Sequence, residues 1–289
     1  KKGYSPAALG PRGKNRKYLA LTDGVIQEHL SGRKTIGAYA LLLDNACWFL
    51  ACDFDKEGWN LDALAYLGVC RRYGVPACLE RSRSGNGAHV WVFFSAPVAA
   101  AEARDMGMRL LRETMTVRGE MDLGSYDRFF PNQDFIPRGG FGNLIALPLQ
   151  KERRVQGWTE FLNPDDPALP PWPDQWAFLS RVERMSPARL IEVLTKIPKI
   201  QVGPTARRQA TEDLKRRYPA PKALEASLEA MLSIAKKGLP PWMLSEIKPL
   251  ASLHNPEFYE RQKRRFSTFD VPRFVRCYDE DMSHLHLPR

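Results

Sequence analysis

Two rhythms of apolar residues run through the first half of the chain. Leu61, Leu64, Ala65, Leu67 and Val69 recur at helical spacing, with Asn60 as a cap and Gly74 as a stop, so a helix is predicted over residues 60–73. A shorter helix is predicted from Thr22 or Asp23 to Leu30, and another over 98–116. The other apolar runs are too short for helices and are bounded by turn formers. Residues 37–43 and 47–54 are split by Asp44-Asn45 and read as a hairpin or two adjacent strands. Residues 77–81 and 89–94 are strands separated by a tight glycine turn, and 144–149 is one more strand. Strand and helix signals alternate until a proline-rich stretch at 164–173, which reads as a boundary. Beyond it the signals are helical: Ser186-Pro187 opens a helix to Ile197, Pro221 one to Lys237, and Pro256 one to Ser267. The expected division is a basic arm over 1–16, an α+β domain over 17–180 and a mainly helical, basic domain over 181–289.

The chain has 289 residues, 44% of them hydrophobic and 26% charged, which excludes a disordered or collagenous protein. Its longest apolar stretches, such as 38–43, fall far short of a bilayer crossing, so no membrane role is expected. Lysine and arginine exceed aspartate and glutamate by 10, and the excess is uneven. Residues 1–180 hold 22 basic and 20 acidic side chains, whereas 181–289 hold 21 and 13, a surplus suited to phosphate backbones. Cys47, Cys52, Cys70, Cys78 and Cys277 are odd in number and form no CxxC pair. His284 and His286 beside Cys277 would still need ligands from elsewhere. Neither a disulfide framework nor a zinc site is therefore expected, and a reducing cytoplasm fits. The chain opens on Lys1 and stops at Arg289 without a terminal signal, as a piece cut from a larger protein would.

Candidate chemistry begins at Asp53-Phe54-Asp55. In a strand, side chains at i and i+2 share a face, so both carboxylates project together while Phe54 turns into a core. Two anions that close repel unless a cation sits between them, and oxygen donors favour Mg²⁺ or Mn²⁺. The second candidate is Ser84-Gly85-Asn86-Gly87-Ala88-His89. A glycine-rich turn lets amides and a hydroxyl approach phosphate oxygens, and a histidine at the strand entrance can donate to them. The GK[ST] ending of a Walker A loop is missing. Arg81 and Arg83 add positive charge beside it. Holding two cations ~3.5–4 Å apart needs a third acid. Asp127 is the best candidate, and Asp122 and Asp134 compete with it. Each feature has a bland counterpart, a solvated strand end or an ordinary turn. The order acid-x-acid, glycine turn with histidine, then a further acid is far more specific than its parts.

These segments together resemble the catalytic core of the archaeo-eukaryotic primase superfamily. Its three motifs are DxD, a serine–histidine motif, and a hydrophobic residue followed by Asp, here Asp53/Asp55, Ser84 to His89, and Tyr126-Asp127. The likeness is closest to the primase-polymerases of TOTE conflict systems and their CRISPR-associated relatives. It rests on His29-Leu30-Ser31-Gly32, Thr35-Ile36-Gly37-Ala38-Tyr39, the run Trp48 to Asp55, Phe129-Phe130-Pro131-Asn132-Gln133, and Gly142 to Leu149. It covers roughly residues 18–180, and Ala40 stands where relatives often carry proline. Weaker likeness in Asn255-Pro256-Glu257-Phe258-Tyr259 and Leu287-Pro288-Arg289 resembles the stretch before a helicase in multidomain relatives.

The resemblance implies a core of mixed β-sheets with an RRM-like unit flanked by helices. It implies a DNA primase-polymerase that starts and extends primers on single-stranded DNA from nucleoside triphosphates. Asp53, Asp55 and Asp127 would hold two divalent ions, Mg²⁺ or Mn²⁺. Ser84, Gly85, Asn86, Gly87 and His89 would bind the incoming nucleotide, with Arg83, Arg138, Asn132 and Gln133 as further contacts. Arg207, Arg208, Arg216, Arg217, Arg264 and Arg265 are candidate template contacts, with Trp242, Phe258 and Tyr259 as stacking faces. A helicase or CRISPR adaptation protein, fused or associated, is the implied partner, and a prokaryotic cytoplasm the implied setting. Two rival readings use the same residues: a non-catalytic nucleic-acid-binding module of a replication or defence protein, and a metal-dependent nuclease. The nuclease would have no need of a phosphate-binding turn beside the acids.

Overall fold

The computed structural model describes residues 3–4, 19–20, 22–118, 123–136, 142–197, 215–216, 218–257, 260 and 274–288. They fall into two compact units, Lys1–Leu111 with Ser125–Pro198 and Arg112–Gly124 with Lys199–Arg289. In the first unit β1 (Gly3–Tyr4) pairs antiparallel with β2 (Leu19–Ala20), and α1 (Asp23–Leu30) starts on Thr22, whose hydroxyl accepts from the Val25 amide. After β3 (Gly37–Tyr39) come β4 (Ala46–Asp55), α2 (Trp59–Arg72), β5 (Cys78–Arg81), β6 (Gly87–Ala99), α3 (Ala100–Arg118) and β7 (Tyr126–Phe130). Then follow β8 (Leu144–Ala146), α4 (Lys151–Arg154), β9 (Phe161–Leu162), α5 (Gln175–Arg181) and α6 (Pro187–Lys196). The proline-rich stretch lies between β9 and α5. It is tied to the strand by Asn163 N–H donating to Pro170 O and Trp172 N–H donating to Phe161 O.

From β4 to β7 the chain runs β-α-β-β-α-β, and the antiparallel order is β7-β4-β6-β5-β9. The two helical connections therefore interleave, with β6 between the strands joined by α2 and β4 between those joined by α3. That is the split β-α-β arrangement of an RRM-like unit, and the α+β class expected of the chain holds. One expectation fails here. β3 does not lie beside β4 across Asp44-Asn45 but pairs antiparallel with β8, more than 100 positions later. The missing side chain of Gly37 lets Leu144 of β8 pack against the β3 backbone. Such a partner leaves no trace in local periodicity.

The two faces of the sheet differ. On one, Leu50, Cys52 and Phe54 of β4 are buried together with Ala63, Tyr66, Leu67 and Cys70 of α2 and Met106 and Leu110 of α3. Gly107 brings α3 so close that a Cβ there would strike Leu50 and Phe129. On the other face Ala51, Cys78, Trp91 and Phe130 form an apolar cluster with Ala40, Ile145 and Phe161, and with Trp172 and Phe178 packed against it. Beyond Ala51 the residues of β4 on this second face, Asp53 and Asp55, are polar.

In the second unit the helix expected from Pro221 to Lys237 is absent. Its place is taken by β10 (Ala226–Leu228) and β11 (Leu232–Ala235), which join β14 (Asp279–Glu280) and β15 (His284–Leu287) in the order β10-β11-β15-β14. Leu, Glu, Ala and Lys there favour a helix, but burying Ile234 opposite Leu285 outweighs propensity. Among the described residues of this unit a helix, Pro241–Leu250, and the ladder of β12 (Ser252–His254) with β13 (Phe274–Arg276) accompany this sheet. The helix predicted from Pro256 falls mostly outside the described residues. No helix among the described residues is long and apolar enough to cross a membrane.

Candidate active site

Cross-strand register builds the site. Asp53 of β4 stands directly opposite His89 of β6, and His89 opposite Glu80 of β5. On the other side Asp53 is opposite Arg128 of β7. Residues opposite one another share a face, so Glu80, His89, Asp53 and Arg128 form one polar row across four strands, next to the apolar row of Cys78, Trp91 and Ala51. Asp55 projects from the same face two residues on. It faces Gly87, where any Cβ would collide with the Asp55 carboxylate and the Phe54 carbonyl. This glycine is therefore required by close approach, beyond any need for a turn.

Asp127 reaches the site through a bulge. Asp53 is paired with Arg128 but Phe54 with Tyr126, so Asp127 is an extra residue on β7, and such bulges re-aim a side chain. As a result one oxygen each from Asp53, Asp55 and Asp127 lies within 4.8 Å of the others. Among the described residues no other group of carboxylates, histidines and cysteines converges in this way. The competitor Asp134 is ion-paired to Arg104 of α3, and Asp122 lies outside the described residues.

The electrostatics suit a cation. Asp53 is only 8% exposed, and its Oδ1 accepts no hydrogen bond, although His89 Nε2 lies 3.4 Å away. Burial, with Asp55 and Asp127 adding repulsion, pushes its pKa up to about 6 against the pull of His89 and Arg128. An orphaned oxygen in a three-carboxylate, all-oxygen donor set fits a hard divalent ion, so the triad can hold a metal. The Arg128 guanidinium donates to Asp127 Oδ2 over 2.6 Å and partly offsets the negative charge. Burial disfavours a charged His89, but Glu80, 2.9 Å from Nδ1, together with Asp53 and Asp55 outweighs it and raises the pKa above the usual imidazole value.

The glycine turn sits beside the triad but is largely self-satisfied. Gly85 N–H donates to Ser82 O, Asn86 N–H to Ser84 Oγ, and Ser84 Oγ is 3.0 Å from Ser82 Oγ. Gly85 has a positive φ of 76° and lies under the Trp158 indole, which Arg153 caps from 5.6 Å. Arg83 is exposed. Asn132 and Gln133 follow the cis Phe130–Pro131 bond in the loop to Ile136, whose amide donates to Asn45 at the far end of β4 from Asp55. Gln133 Nε2 donates to Phe135 O within that loop. His29 of the resemblance motif is structural: the Ile36 amide donates to its Nδ1, and its Nε2–H donates to Pro148 O.

The nucleotide candidate Arg138 lies outside the described residues; of the template candidates, Arg216 is exposed, while Arg207, Arg208, Arg217, Arg264 and Arg265, with Phe258 and Tyr259, lie outside them. Trp242 is covered by Lys215, 5.1 Å from the ring centre, and its Nε1–H donates to Tyr218 O. Sequence reasoning missed Glu80 and Arg128. Glu80 carries one local signal, a lone acid in an apolar strand, whereas Arg128 becomes visible only through register.

The family model described as the archaeo-eukaryotic primase domain of TOTE conflict systems matches residues 1–193. No curated protein gives a significant match.

Proposed function

Because the chain belongs to the family of TOTE conflict system archaeo-eukaryotic primase domains, and so to a superfamily of primase-like nucleotidyltransferases, we propose that it is a DNA primase-polymerase that starts and extends strands on single-stranded DNA. The observation that carries this reading is the convergence of Asp53, Asp55 and Asp127 beside the imidazole of His89. Bound to these carboxylates, Mg²⁺ or Mn²⁺ supplies a Lewis acid for the attacking hydroxyl and charge neutralisation for the triphosphate. The chain's own part is positional. The triad gathers negative oxygens where this face of the sheet turns polar, and His89, whose doubly protonated form Glu80, Asp53 and Asp55 favour, presents Nε2–H to the same space as a hydrogen-bond donor for phosphate. With the Gly85 and Asn86 amides engaged inside the turn, His89 carries more of the phosphate contact than the backbone does. Holding two nucleotides and a template before any duplex exists is chiefly an entropic cost. The basic surplus after residue 180 supports the idea that this region grips the template strand.

The experiment is incubation with single-stranded DNA, labelled nucleotides and Mn²⁺ or Mg²⁺, with and without a primer. New strands in both reactions are expected. Extension only with a primer would restrict the activity to polymerisation, shortened template would mean a nuclease, and a mobility shift alone would mean a binding module. Parallel reactions with ribo- and deoxyribonucleotides define the substrate.

A further inference from the structure

Glu80 is 1% exposed, on a face where its strand neighbour two positions earlier, Cys78, belongs to the apolar cluster. Burying a carboxylate is costly unless it is paired and hydrogen-bonded. Its Oε2 accepts from two donors, His89 Nδ1 at 2.9 Å and Trp91 Nε1 at 2.7 Å. A carboxylate only accepts, so Nδ1 of His89 carries hydrogen, and Nε2 is the nitrogen turned toward Asp53. Trp91 anchors the carboxylate from behind, with Phe93 stacked on it at 5.7 Å and Phe49 tilted against it at 5.2 Å. The imidazole is thus clamped on the side away from the site, and neither motif that flanks the site includes this acid.

Resting on the nucleotidyl-transfer reading above, we propose that Glu80 is a positioning residue: through His89 Nδ1 it fixes the imidazole so that Nε2 meets the phosphates of the incoming nucleotide. Such a group acts on nucleotide binding and leaves the metal-holding carboxylates untouched, as a supporting hydrogen bond behind a functional histidine does elsewhere.

The test uses the full chain, Glu80→Leu, Glu80→Gln, and each combined with His89→Ala. Glu80→Leu is expected to raise the nucleotide KM roughly tenfold or more while kcat changes by less than about threefold. Glu80→Gln keeps an acceptor for Nδ1–H and is expected to fall between, which also covers failure of the leucine variant to fold. In the His89→Ala background either change should cost nothing further. Losses that add in that background, or a fall in kcat with KM unchanged, would overturn the proposal. A ¹⁵N spectrum of His89 in the unmodified chain should show a protonated Nδ1, and an unprotonated one would overturn it independently of activity. If the unmodified chain incorporates no nucleotide, the functional reading falls, and the ¹⁵N signal alone decides whether Glu80 fixes the ring.

Discussion

Asp53 is the residue on which the site and the stability of the fold pull in opposite directions. Its folded pKa of about 6 lies above the usual carboxylate value because of burial and the neighbouring acids. A raised carboxylate pKa means that stability is fullest while the group is protonated and falls as pH climbs from about 4 through 6. At pH 7 the ionised group therefore costs on the order of 3 kcal/mol in the absence of metal. Asp53→Asn is expected to raise the melting temperature in chelator at pH 7.5, to do so much less at pH 4.5, and to abolish synthesis. Thermal melts at the two pH values check this, and a destabilised variant at pH 7.5 would contradict it. The carboxylate pair was readable in the sequence because strand alternation puts i and i+2 on one face. Glu80 and Arg128 were not, because their roles come from strands paired across the sheet.

At the scale of elements, the site is made by register on the central strand β4. The bulge at Asp127 and the absent side chain of Gly87 are what bring three carboxylates together. Gly87→Ala should push the Asp55 carboxylate aside. We expect loss of activity with a stability cost of about 1–3 kcal/mol, measured by strand synthesis and urea unfolding. Wild-type activity in that variant would show that Asp55 has room to spare. Helices α1, α2 and α6 and strands β4, β5 and β6 are legible from caps and periodicity, because each signal is local, whereas the short β7 is not. The same local signals place β3 beside β4 and make 221–237 a helix, and both fail because β8 and β15 supply the partners from far along the chain.

At the scale of the whole molecule, the two units are held by different means. The first buries an apolar sheet, and the second encloses Glu280 among Arg118, Lys236 and Lys248. Burial alone would raise the Glu280 pKa, but Arg118 and Lys248, with Lys236, draw it down to about 2. Its contribution is therefore present above about pH 4.5 and is lost as pH falls toward 2. Glu280→Gln removes the negative charge facing the nearly fully buried Lys248, which keeps its bond to the Arg118 carbonyl, and should cost about 3 kcal/mol at pH 7, with the difference from the parent shrinking as pH falls toward 2. Equal stability at neutral pH in denaturant titrations would contradict the network. The central claim, that these three converging carboxylates make a nucleotidyl-transfer centre, is tested most directly by anomalous diffraction from crystals holding Mn²⁺ and a non-hydrolysable nucleoside triphosphate. The account predicts manganese peaks coordinated by Asp53, Asp55 and Asp127 with the triphosphate against His89 Nε2. Manganese and triphosphate bound away from these residues would contradict it.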